Sequence, residues 1–278
     1  MALTKRIRIL AGNIHNTATL TATSEALPVE NTQRSERAMV WRSTSLNEQT
    51  ITGVLPTGSI VDCIALARHN LSAGGIRRIE LLYEGSVVYD SGLIPTALLI
   101  PAGIWRAGVD PWGATYNDQL PGNTSLTVQW TDTKYLVTGY RITLSGTNDD
   151  GYMEVGQIFI GDTFQPEFNF SWNAETDWQE SGEHLKTEGG SLRTVSLGDL
   201  RRQVNINLDW IIDSDRTQLI SRLGKAGMGS DLLISLYPDS ASQMLELEGI
   251  MVCRRLNSIN TRHNLPGNWS AGLTFLEV

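Results

Sequence analysis

The feature that most constrains this chain is a repeated two-residue alternation in short runs closed by turn residues. "RQVNINLDW" sets Val204, Ile206, Leu208 and Trp210 against Asn205, Asn207 and Asp209. "SLTVQWTD" sets Leu126, Val128 and Trp130 against Thr127, Gln129 and Thr131, and "GYRITLSG" repeats the pattern with Tyr140, Ile142 and Leu144. In "NWSAGLTFLEV", Trp269, Ala271, Leu273 and Phe275 share one face. A period of two puts one face of a strand in a core and the other in water. "VDCIALA" is apolar almost throughout, as a strand buried on both faces requires. "RIELLYEGSVVYDSG" places two runs around Glu84, Gly85 and Ser86 and reads as a hairpin. "DLLISLYP" and "LELEGIMVC" read as further strands.

Helical spacing stands out once. In "DSDRTQLISRLGKAG", Leu219, Ile220 and Leu223 form a stripe, Asp213 or Ser214 can cap the start, and Gly224 or Gly227 can end it. A helix of roughly ten residues, near 214–225, suits packing on one sheet face. Many short strands with so little helix argue against a parallel α/β fold. The chain is therefore expected to be all-β, with two β-sandwich domains, the second smaller and carrying the helix. "GYMEVGQIFIGDTFQPEFNFSW" marks the junction. Gly161-Asp162 is turn chemistry and Pro166 cannot donate to a ladder, so the domains are expected at 1–163 and 164–278.

Composition excludes several functions. The formal net charge is −8, which opposes general binding to nucleic acid backbone. No apolar run reaches the length of about 18 residues that spans a bilayer. "MALTKRIRIL" lacks the apolar core of a signal peptide, so synthesis and assembly in a cytoplasm are expected. Cys63 and Cys253 sit in apolar runs and read as buried free thiols. His15, His69, His184 and His263 are scattered, with no metal-ligand spacing, and read as surface or hydrogen-bonded residues. "DSD" fits a helix start and "TNDDGY" a hairpin turn better than a calcium loop. No nucleophile elbow or phosphate loop is present, and "GKAGMG" follows a helix instead of opening one. No enzyme activity, cofactor or metal is expected.

What remains is surface. The segment from Pro101 to Asn123 is rich in Gly, Pro and aromatics and reads as a long surface loop. Its Trp105, Trp112 and Tyr116 are the candidate binding residues, for a protein partner or a glycan; they could equally cover the end of the sandwich as a local core. Among 22 basic residues only four are lysines. Arg77-Arg78, Arg201-Arg202 and Arg254-Arg255 read as solvated faces, or as interface residues, since arginine pairs carboxylates bidentately.

The run "ATLTATSEALPVENTQRSERAMVWRSTSLNEQTITGVL", the following "VDCIALARHNLSAGG" and the later "YRITLSGTNDDGYMEVGQIFIGDTFQP" resemble the galactose-binding-like (discoidin-type) jelly rolls of bacteriophage and prophage tail proteins. The resemblance covers roughly residues 10–165. The remainder, with "GGSLRTVSLGDLRRQVNINLDWI" and "NWSAGLTFLEV", is similar to the β-sandwich of tail-tip and distal-tail proteins. That resemblance implies a structural virion protein, a distal-tail or baseplate component of a long-tailed phage. Its partners would be itself, as a ring-shaped homo-oligomer, and the tube, hub and tape-measure proteins; its place would be the virion tail tip. The alternative expectation is a carbohydrate-binding module for host adhesion.

Overall fold

The computed structural model describes residues 6–71, 74–97, 105–109, 115, 125–180, 182–196, 198, 200–238, 240 and 242–278. The first strands are β1 (Arg8–Leu10), β2 (Thr19–Ala22), β3 (Trp41–Arg42), β4 (Gln49–His69), β5 (Ile76–Tyr83) and β6 (Ser86–Asp90). Then come β7 (Ile94–Pro95), β8 (Leu126–Ser145), β9 (Glu154–Gly161), β10 (Glu175–Gln179), β11 (Gly182–Lys186), β12 (Leu192–Ser196) and β13 (Arg201–Ile211). Helix α1 (Asp213–Ala226), β14 (Leu232–Ser235), α2 (Gln243–Gly249), β15 (Ile250–Arg255), β16 (Asn260–Leu265) and β17 (Asn268–Glu277) complete the described chain. Strand accounts for 52% and helix for 12%, so the chain is all-β, as its alternation requires.

Two compact units divide it. Unit 1 runs to Gln165 and also takes Leu232–Met251; unit 2 is Pro166–Asp231 and Val252–Val278. The expected boundary at 163/164 lies two residues from the end of unit 1's leading segment. The later segment, placed in the second half by sequence, joins unit 1 because β14 pairs antiparallel with β1, Arg8 opposite Ser235 and Leu10 opposite Leu233.

In unit 1 the sheet order is β3-β9-β4-β8-β5-β6, with β2 also on β4 and β7 on β5. The β4–β8 register shifts between Val54 and Ser59 and again between Val61 and Cys63. Such irregularities bend strands. Ile51, before the shifts, and Ile64 and Leu66, after them, enter one core with Trp41, Val137 and Tyr140. The bent sheet thus closes on itself as a β-sandwich. Val61–Ala67 is buried throughout. Glu84 and Gly85 have φ of 49° and 83°, the left-handed pair that a tight hairpin needs, and β5 and β6 pair around them.

"TNDDGY" is a crossover and not the expected hairpin turn. Strands β8 and β9 pair with opposite edges of Cys63–Ala67 in β4, so the loop between them passes over the end of that strand. Turn chemistry shows that the chain reverses there; it does not show with which strand it next pairs.

A polar network ties this core together. The Tyr140 hydroxyl lies 2.6 Å from His15 Nδ1, and His15 Nε2 lies 2.8 Å from Thr32 Oγ1. Thr32 gives its own proton to the Val29 carbonyl, so it accepts from Nε2–H and Tyr140 donates to Nδ1. Burial lowers the His15 pKa to about 3. Gly53 makes room for this arrangement: a Cβ there would stand 2.1 Å from the Tyr140 ring.

Unit 2 is built on β10-β13-β17, with β15 and β16 both on the far edge of β17. Val204, Ile206, Leu208, Ala271, Leu273 and Phe275 are buried on one face of this sheet, and α1 buries Leu219 and Leu223. Helix α1 begins at Asp213 and has Ile212 as its N-cap, with no capping side chain. Asp213 does not cap as expected because its carboxylate accepts from Trp269 Nε1 at 2.6 Å. Gly227, with φ of 71°, ends the helix.

Two strand expectations need correction. The "LELEG" part of "LELEGIMVC" is helix α2, started by Ser242, whose hydroxyl accepts from Leu245 N–H; only Ile250–Arg255 is strand. In β13 the register shifts between Leu208 and Ile211, so Ile211 takes the inward place and Trp210 is 58% exposed. The paired arginines are not uniformly solvated. Arg77, Arg202 and Arg255 are buried, and strand alternation leaves Arg78, Arg201 and Arg254 more accessible. Arg77 donates to the Pro95 and Val128 carbonyls, and Arg255 to that of Asn257. Arg202 grips Glu277 through Nε at 2.9 Å and Nη2 at 2.5 Å.

Candidate functional site

The loops at one end of the unit 1 sandwich converge on the turn that ends β4. Arg68 there has φ of 57°, a left-handed conformation that its neighbours must hold in place. Its N–H donates to the Ser125 carbonyl at 2.6 Å, and its guanidinium reaches the Ser35 carbonyl and the Gln157 side chain. Gly156 leaves the space, since a Cβ would meet Arg68 Cβ and Nε at 2.9 Å. His69 follows, buried, its Nδ1 accepting from Leu71 N–H. Desolvation, with the Arg77 charge beside it, lowers its pKa to about 4.

Asn70 is the hub. Its Nδ2 donates to Asp150 Oδ2 at 2.9 Å and to the Tyr152 carbonyl at 3.0 Å, and its Oδ1 accepts from Glu154 N–H at 2.7 Å. Asn148 braces the same loop: Oδ1 accepts from the amides of Asp150 and Gly151, and Nδ2 donates to the Asn70 and Tyr152 carbonyls. Ser43 closes the cluster by accepting from Met153 N–H.

On this braced floor lie the groups that can meet a ligand. The Arg42 guanidinium sits 4.2 Å from the centre of the Tyr152 ring and 3.3 Å from Glu154 Oε2. Asp150 is exposed, and Arg42, Tyr152 and Glu154 are half-buried. The patch combines a phenol ring, a guanidinium and two carboxylates, and so offers a hydroxyl-rich ring both donors and acceptors beside an aromatic surface.

Of the three expected binding residues, Trp105 is half-buried. Trp112 and Tyr116 lie outside the described residues. Thr96 and Ser125, described residues on either side of the segment that carries all three, are both held by backbone bonds. Thr96 N–H donates to the Gly75 carbonyl at 2.9 Å, and the far side is tied by the Ser125–Arg68 bond. The sequence reading missed Arg42, Asn70, Asp150, Tyr152 and Glu154 as site residues. Their signal was the three short segments "WRS", "HNL" and "TNDDGYME", which mean little apart and acquire a role only when the fold brings them together.

Among the described residues no group of three or more His, Cys, Asp and Glu side chains is placed to hold a metal. Cys63 and Cys253 are buried and free, and burial raises both thiols well above the usual range. A nucleophilic thiolate is therefore disfavoured at either position. No helix among the described residues is long and apolar enough to cross a membrane.

No family model and no curated protein matches the chain. Solved structures do. The chain is similar to the family 32 carbohydrate-binding module of Clostridium perfringens NanJ in complex with galactose, at 14% identity and a TM-score of 0.37, over 55% of this chain and 98% of that one. It is similar to the lectin domain of lectinolysin complexed with Lewis B antigen, at 10% identity and a TM-score of 0.38, over 54% of this chain and 95% of that one. The family 32 module of AlyQ, in complex with 4,5-unsaturated mannuronic acid, matches at 19% identity and a TM-score of 0.33, over 51% of this chain and 92% of that one.

Proposed function

We propose that this chain is a non-catalytic carbohydrate-binding module that reads host-surface saccharides at the loop end of unit 1. The observation that carries this is the convergence of Arg42, Asp150, Tyr152 and Glu154 on a floor fixed by Asn70 and Asn148. A sugar ring presents C–H faces that pack on aromatic rings, and hydroxyls that both donate and accept. Arg42 supplies donors, Asp150 and Glu154 supply acceptors, and Tyr152 supplies the ring. Because the floor is already hydrogen-bonded, little ordering is left to oppose binding.

The test is a glycan array probed with the wild type, Arg42→Ala and Tyr152→Ala. Binding that both variants lose, with their circular dichroism unchanged, supports the reading. Binding that neither variant changes, or an array that stays silent, overturns it.

One observation favours a second reading, the ring-forming tail component that the sequence resemblance implies. Among the described residues, β11 and β12 pair only with each other. Their Leu185, Leu192 and Val195 are 53%, 65% and 45% exposed. A lone two-stranded hairpin is marginal in water, and its edges remain free to pair. A second copy of the chain is the occupant this reading requires, in a head-to-tail contact that closes a ring. Light scattering after size exclusion tests it: an oligomer that Leu185→Ser/Leu192→Ser/Val195→Ser converts to monomer supports it, and a wild-type monomer at all concentrations sinks it.

A further inference from the structure

The solvent face of the unit 2 sheet carries a groove. Its rows follow from the register. Asn207 on β13 lies opposite Gly272 on β17, which lies opposite Asn260 on β16. In the next row outward, Ser270 lies opposite Arg262. On the other side the β13 bulge inserts Asp209 and Trp210 between the pairs Leu208–Ala271 and Ile211–Trp269. Gly272 has no side chain, so the middle of the face is low. The result is a cavity of about 290 Å³ lined by Asn207, Asp209, Asn257, Asn260, Arg262 and Ser270.

Three of these side chains are uncommitted. Among the described residues, those of Asn207, Asn260 and Arg262 make no hydrogen bond or ion pair. The other three are anchored. Asn257 bonds the Gly272 carbonyl and the Thr274 amide, the Ser270 hydroxyl donates to Asn264, and Asp209 accepts from the Ser171 hydroxyl. The Ser171 amide also donates to the Asn207 carbonyl at 2.8 Å, which ties the 166–172 segment to the groove's edge. The residue after Ser171 is Trp172, which is fully exposed, and the residue after Asp209 is Trp210, 58% exposed. Two accessible indoles, neither of them among the lining residues, therefore follow directly in sequence on Ser171 and Asp209.

We propose that this groove is a second saccharide site, for a neutral, hydroxyl-rich sugar ring. The proposal goes beyond the loop-end reading and stands on different residues. Amides and a guanidinium supply donors, and amides and the Asp209 carboxylate supply acceptors. The carboxylate opposes an anionic ligand such as a phosphate or uronate. Indole faces accept the C–H surface of a pyranose. The volume lies at the low end of ligand pockets, about 300 Å³, which suits one or two sugar rings and is small for a peptide.

The experiment uses the full chain. Arrays of neutral hexose and N-acetylhexosamine oligosaccharides, with uronate oligosaccharides and adenosine monophosphate as competing classes, are probed with wild type, Trp210→Ala, Arg262→Ala and Asn207→Ala. Trp210→Phe and Arg262→Lys guard against loss of fold. Isothermal titration with the best-bound free sugar then measures affinity. The expected result is neutral-sugar binding that weakens roughly tenfold or more in Arg262→Ala and survives in Arg42→Ala. A preference for uronates or for the nucleotide overturns the proposal. So does neutral-sugar binding unchanged by all three groove variants, or no binding at all. Loss in Arg42→Ala alone overturns this inference and leaves the loop-end site standing; loss in the groove variants alone does the reverse.

Discussion

Acid should loosen unit 1 through two buried histidines. His15 and His69 are buried and neutral, with pKa values lowered by desolvation to about 3 and about 4. In the unfolded chain both return to about 6.5. Between those limits the unfolded state binds protons that the folded state refuses, so stability is full above pH 6.5 and falls as pH drops. From pH 7 to pH 5 each histidine costs about 2 kcal/mol and the pair about 4 kcal/mol, a large share of a domain's stability. Two carboxylates act outside or against this trend. Asp62 has a pKa raised by burial, which favours the folded state as pH falls toward its range. Asp90, held down to about 2 by Arg78, loses its contribution only below about pH 4. The assay is equilibrium urea unfolding at pH 7, 6 and 5, read on the methyl resonances of Ile51 and Val137. His15→Gln keeps one donor and one acceptor but cannot charge, so it should halve the loss. Equal midpoints at pH 7 and 5, or a His15 ring that titrates near 6.5 in the folded protein, would refute the reasoning.

Two further outcomes test the packing. Glu277→Ala leaves the Arg202 guanidinium, only 7% exposed, without its carboxylate. It should destabilise unit 2 by about 3–5 kcal/mol, and adding Arg202→Met should recover most of that, measured by urea unfolding. Gly53→Ala drives a methyl into the Tyr140 ring. It should destabilise unit 1 by about 1–3 kcal/mol and shift the His15 ring resonances, because the Tyr140–His15 bond must move with the ring.

Alternation carried most of the fold, and its failures have physical causes. Val204, Ile206 and Leu208 face inward as their period requires, but the next inward place belongs to Ile211. One extra residue in a strand reverses every later side chain, and the run "LDWII" offers two apolar candidates for the same place. That bulge is what exposes Trp210, so the reading that buried it also concealed the unit 2 groove. The helix at Asp213 was legible from its stripe, of which Leu219 and Leu223 are buried while Ile220 is exposed; its cap was not, because the Asp213 carboxylate serves Trp269, a partner brought near only by the fold. The loop-end patch failed to emerge for a similar reason. Arg42 on β3, Asn70 just after β4, and Asp150 and Tyr152 in the segment between β8 and β9 meet only because β8 and β9 lie on opposite edges of β4. The aromatic-rich sequence around Trp105, Trp112 and Tyr116 points elsewhere, and Trp112 and Tyr116 lie outside the described residues.

Isothermal titration of the saccharide whose array signal Arg42→Ala removes, into the full chain and into Arg42→Ala/Tyr152→Ala, measures the central claim most directly. Losing a charged donor together with the ring should remove about 2–4 kcal/mol of binding free energy, enough to abolish detectable heat from a weak sugar complex. Saturable heat with the wild type and none with the double variant is the expected result. Equal affinities for the two proteins, or no heat from any saccharide with the wild type, would contradict it.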